Sequence, residues 1–149
     1  MIGSRSNAPF EHVYTEDPSI DHESEALDTK KYFQTFDRKY LPTKPGATPT
    51  VFKLRPLNRK RFIAIANMAR AEQPNATVAY GVIGIDNFRL PTGSMLVPEF
   101  TGLGADQHLT AATLDAIFDS GLFAELMTVI MSASGLDPLA DGHSGSSPG

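Results

Sequence analysis

The sequence predicts a mainly α fold: a small helical domain with a minor β element, an extended N-terminal arm and a flexible C-terminal tail. Three observations carry that expectation. Apolar residues crowd between Phe62 and Leu136. Within that stretch Leu122, Leu126, Val129, Ile130 and Ala133 recur at helical spacing and form one wide apolar stripe. Outside it the chain is polar and acidic before residue 29 and rich in Gly, Ser and Pro after residue 136, and neither composition builds a core. The expected divisions are residues 1–49 for an acidic and aromatic arm with a Pro-rich linker, 50–136 for the compact helical domain, and 137–149 for the tail.

Between Glu11 and Asp28 stand seven carboxylates and no Lys or Arg. This segment reads as a disordered arm, with Phe10, Val13 and Tyr14 as isolated pins onto the domain or a partner. From Thr29 to Tyr40 aromatic residues interleave with cations. Tyr32, Phe36 and Tyr40 have i, i+4, i+8 spacing and fit one short aromatic helix face. Such a face anchors on the chain's own core or on a neighbouring subunit. With Lys30, Lys31, Arg38 and Lys39 beside it, it also suits base stacking. Pro42, Pro45, Gly46 and Pro49 then make a stiff, extended linker.

The stretch VFKLRPLNRKR, residues 51–61, is the pivot. In an extended backbone Phe52 and Leu54 share one face, and Lys53 and Arg55 the other. Pro56 stops the strand, and Asn58 caps a helix expected over about residues 59–72. Arg59, Lys60 and Arg61 oppose the helix dipole in its first turn, each at a cost of about 0.3–1 kcal/mol. A nearby anion would relieve this, and the acidic arm is the internal candidate. The same cluster also reads as a solvated face, or as a contact for an acidic partner or nucleic acid.

Gln73-Pro74-Asn75 reads as a break. ATVAYGVIGI fits a helix face through Val78, Val82 and Ile85 and a buried strand through its β-branched residues and glycines; the helix is the reading adopted here. Asp86-Asn87 is a turn, and residues 88–104 a loop with room for a small hairpin. A short helix starts at Leu109 or Thr110 with Leu114, Ile117 and Phe118 inward. The last helix follows, with Phe123, Met127 and Met131 widening its apolar surface. That surface is core, or a partner groove, because Met side chains re-pack easily. Gly135 sits where a left-handed helix terminator belongs.

The chain carries a formal charge of −4 and no Cys. The charge argues against whole-protein nucleic-acid binding. The lack of Cys excludes disulfides, thiol catalysis and cysteine zinc sites, and leaves an intracellular origin unopposed. No signal peptide is expected at the N-terminus, and no apolar run approaches the roughly 20 residues a membrane helix needs. The four His residues, His12, His22, His108 and His143, make no HxH or HExxH pair. The glycines make no phosphate loop, no Ser sits in a GxSxG elbow, and Asp115, Asp119 and Glu125 read as solvent-face helix charges. No catalytic residue, cofactor or metal is therefore expected, and the chain reads as a non-enzyme.

The order of features carries a resemblance. Leu54-Arg55-Pro56-Leu57, the Gly81-Val82 segment, and the helix pair from Leu114 to Leu136 with its polar tail resemble the small tail assembly chaperones of long-tailed bacteriophages, over about residues 51–138. The resemblance implies a non-catalytic role in the host cytoplasm: coating a tape-measure protein while tail-tube subunits polymerise. Apolar segments would lie in a helical groove whose counterpart here is the Phe123, Met127 and Met131 flank. The arm, residues 1–49, departs from the shorter family members. It leaves a structural virion protein (connector, decoration or tail subunit) as the alternative, docking through that arm. Partner contacts are then expected at Phe123, Met127, Met131, Tyr32, Phe36, Tyr40, Arg59, Lys60 and Arg61. The partners would be phage tail or other virion proteins, or a second copy in a homo-oligomer. Neither membrane nor nucleic acid is expected.

Overall fold

The computed structural model describes residues 8–135; the flexible-tail expectation for 137–149 lies outside them. The chain runs β1 (Phe10–Val13), α1 (Thr29–Thr35), β2 (Val51–Leu54), α2 (Arg59–Ala66), α3 (Gln73–Gly81), β3 (Val82–Asp86), β4 (Phe100–Thr101), β5 (His108–Leu109), α4 (Ala111–Ile117) and α5 (Ser120–Ala133), with short 3-10 turns between. The mainly α expectation is wrong. The described residues form a mixed α/β fold with two small antiparallel sheets, β1-β2-β3 and β4-β5.

Two segments make the difference. The first is the acidic arm, whose residues 10–13 pair with β2, His12 opposite Phe52 and Val13 opposite Val51. The second is ATVAYGVIGI, which is half helix and half strand: α3 ends at Gly81, and Val82 to Asp86 pair with β2 on its other edge. The β-branched residues Val82, Ile83 and Ile85 fall in the extended half, where their stiff side chains suit a pleated surface. Gly81 marks the junction because a Cβ there would overlap Ile130, whose Cγ1 and Cγ2 would lie 2.9 Å from it. The missing side chain lets α3 lie close on α5.

β2 is the central strand, and its alternation divides the interior. Phe52 and Leu54 point into the main core with Val78, Val82, Leu126 and Ile130. Val51, on the opposite face, joins a smaller core with Val13, Ile20, Tyr32 and Leu41. Phe36 packs against both. Lys53 shares the Val51 face, lies over Gly84 and pairs with Asp86 at 3.5 Å. The stretch taken for a coreless arm thus builds a core of its own.

The helices follow their caps. Asn58 accepts from Arg61 N at 2.7 Å, and Asp119 from Leu122 N at 2.9 Å. The helix expected over 59–72 is shorter, because α2 stops at Ala66 and residues 70–72 form a 3-10 turn, and Gln73-Pro74 opens α3 instead of breaking the chain. Proline fits a first helical turn, where no backbone donor is needed. α1 stops at Phe36, which takes the left-handed conformation at φ 53°, so the aromatic stripe is not one helix face. Phe118 is 59% exposed rather than inward, since the backbone turns extended at the end of α4. Asn87 and Gly135 adopt positive φ as a turn residue and a helix terminator should. Among the described residues no single helix is long and apolar enough to cross a membrane.

Candidate functional site

α2 and α5 leave a groove between them. Phe62 and Ala66, one turn apart on α2, form one wall; Met127 and Met131, one turn apart on α5, form the other. Gln73, Thr128 and Ser132 also line it, and the volume is ≈420 Å³. The α5 stripe explains the placement. Leu122, Leu126, Val129 and Ile130 are spent on the core, which leaves Met127 and Met131 on its flank, half-buried. Met131 touches the main core from the groove side. Unbranched thioether side chains with several rotatable bonds can fit irregular apolar shapes.

The other expected contact residues divide. Phe123 is only 2% exposed and stands edge-to-face with Phe118 at 5.1 Å; it belongs to the core and presents no surface to a partner. Tyr32 is fully buried, Phe36 and Tyr40 are half-buried around it, and this trio serves the small core. Tyr40 keeps an outer face, with Lys31 and Lys39 ammonium groups 5.7 and 5.2 Å from its ring centre. Arg61, partly exposed, is engaged by its own chain: its guanidinium lies 3.8 Å over the Tyr80 ring and meets the exposed Asp106 at 2.9 Å. The anion relieving the basic cluster is thus Asp106, and not the acidic arm. Arg55 donates to the carbonyls of Tyr80 and Gln107. Arg59 and Lys60 stay exposed. The structure thus gathers Met127 and Met131 into one groove and leaves the aromatic trio and the basic residues elsewhere.

A polar cluster with no sequence signature lies between β1 and α5. Val13 N donates to the Tyr32 hydroxyl at 2.8 Å, and that hydroxyl lies 3.2 Å from His12 Nδ1. His12 Nε2 lies 2.7 Å from Glu125 Oε2. Thr15 donates to the same carboxylate twice, from its N at 3.0 Å and its hydroxyl at 2.5 Å. The chain of donors closes if the Tyr32 O–H donates to Nδ1 and Nε2–H donates to Glu125. Burial raises the Tyr32 hydroxyl to about 12, with the Glu125 charge adding to it and the Val13 bond opposing it. Glu125 is therefore not the solvent-face charge its spacing suggests. It sits beside Leu122 and Leu126 at the edge of the buried stripe, which is the one signal in the sequence that would have placed it near the interior. His12 and Tyr32 are both 0% exposed. No substrate atom reaches them, so the cluster works as a fastening.

The chain matches no protein-family model, and no curated protein or solved structure is similar to it. Among the described residues no three His, Asp or Glu side chains converge in a way that would hold a metal ion.

Proposed function

We propose that this protein is a non-enzymatic bacteriophage tail assembly protein. It acts like a chaperone, holding an apolar segment of a tape-measure or tail-tube protein in the α2–α5 groove, in the host cytoplasm, until assembly displaces it. The observation that supports this reading is the groove itself. Its walls of Phe62, Ala66, Met127 and Met131 are apolar and adaptable, and one of them, Met127 and Met131, lies on the α5 flank where the resemblance puts partner contact. The tail assembly resemblance of the 51–138 region supplies the class of partner.

Two measurements test it. Quantitative mass spectrometry of finished particles and of infected-cell lysate should find the protein in the lysate and not in the particles. A fixed, symmetric copy number in the particle would sink the chaperone reading in favour of a structural virion protein. Met127→Lys places a charge in the groove while leaving the core untouched. It should abolish capture of tail proteins with little change in melting temperature. Capture at wild-type strength would remove the groove from the mechanism.

A further inference from the structure

The basic cluster of α2 is only partly absorbed by the fold. Arg61 is engaged by Asp106 and Tyr80, whereas Arg59 and Lys60 are exposed and form no ion pair among the described residues. One turn on, Ile63 is 44% exposed. Two cations and a large apolar side chain thus share one accessible face, at the end of the helix where positive charge is disfavoured and an incoming anion is welcome.

The opposite chemistry lies elsewhere on the molecule. A cleft of ≈350 Å³ opens between the β1–α1 connection and the α4–α5 corner. Its apolar lining comes from Phe52, Phe88, Ile117 and the exposed ring of Phe118. Glu16, Asp17 and Asp119 also line it, and no Lys or Arg does. Tyr14, on the same wall, has its hydroxyl raised by burial first and then by the charges of Asp119, Glu125 and Glu16, so the region is electronegative. Asp119 and Asp17 each spend one oxygen on local bonds, to Leu122 N and to Ser19. Glu16 is exposed.

We propose that the Arg59, Lys60 and Ile63 face of one copy docks in the acidic, aromatic cleft of a second copy of this chain. Ile63 meets the Phe118 ring, and the two cations meet Glu16, Asp17 and Asp119. Charge and apolar character both match, and the two surfaces stand at opposite ends of β2. Thr50, before the strand, borders the cleft, and Arg59 follows the Arg55–Asn58 connection beyond the strand's other end. With the two surfaces at opposite ends of the strand, the pairing takes place between molecules. A patch that meets a different patch on its neighbour is heterologous. Each added copy leaves one of each surface open, and the assembly grows head to tail into a ring or a filament. The contact holds or fails independently of the chaperone reading.

Sedimentation velocity on the full chain tests this at about 20 mM and about 500 mM salt, across a range of concentrations. Mass should rise with concentration at low salt and fall back at high salt. R59E/K60E and, separately, E16K should each weaken association on the order of tenfold while melting like the wild type. Mixing the two variants should restore association, because the native α2 face of one meets the native cleft of the other. A wild type that stays monomeric at low salt overturns the proposal. So does association that both variants leave unchanged, or a mixture that stays monomeric.

Discussion

On one face of β2, Phe52 and Leu54 enter a core fed by α3, α4 and α5; on the other, Val51 closes a core of four further buried apolar residues drawn from residues 8–49. The first is held by apolar area. Its residues come from periodic segments that bury a stripe each, and the close Gly81–Ile130 approach tightens it. The second has little area to use, and it leans on hydrogen bonds. His12 and Thr15 reach across 113 and 110 residues to the single carboxylate of Glu125, and the Tyr32 hydroxyl extends that chain to the backbone of β1. An acidic, apolar-poor segment can therefore fold if a few buried polar groups find one well-placed partner.

The sharpest break in this contrast is Phe52→Ala. It removes a fully buried ring from the main core and should cost about 4 kcal/mol in urea unfolding, with both cores lost together. Glu125→Ala strands His12 and the Thr15 amide without their acceptor and should cost about 3 kcal/mol. Hydrogen exchange should show its effect concentrated in residues 10–41, with α3 and α5 still protected. Equal loss of protection everywhere would mean that the two cores are one cooperative unit.

Tyr32→Phe is milder, at about 2 kcal/mol, since Val13 N and His12 Nδ1 lose one shared partner. It also carries a pH signature. The Tyr32 hydroxyl rises from about 10 to about 12 on folding, so folding favours its protonated form. That contribution is fully present below about pH 10 and is lost as pH rises through about 12. Wild-type stability should therefore fall between pH 10 and 12 by more than that of Tyr32→Phe; parallel curves would detach the hydroxyl from the network. The smallest change is Lys53→Ala. It opens an exposed pair on the β2 face shared with Val51, and the melting curve should move by less than about 0.5 kcal/mol.

What the sequence made legible follows the same division. α5 and its Gly135 terminator, the Asn58 cap, the Pro56 strand stop and the Met127–Met131 flank are local patterns, and each stands where its spacing puts it, whereas Asp119, read as a solvent-face charge, caps α5 instead. β1 was illegible because four residues, Phe10 to Val13, carry no period long enough to stand out. Only pairing with β2 makes them a strand. β3 was misread because Val82 and Ile85 satisfy a helical period and a strand alike, and the β2 edge decides between them. Phe123, read as core or as partner surface along with Met127 and Met131, falls to the core because the buried arc of α5 is wide enough to take it in. The Glu125 cluster is purely long-range: nothing near His12 in the sequence announces a carboxylate more than a hundred residues away.

That separation has a meaning during synthesis. Glu125 leaves the ribosome 113 residues after His12. At about 5–20 residues per second, β1 waits roughly 6–23 s for its acceptor. Through that interval β1 can pair with β2, yet its histidine has no acid to meet. Release of the last helix is then the event that locks the first strand, and a chain cut short before α5 carries an unfastened N-terminus.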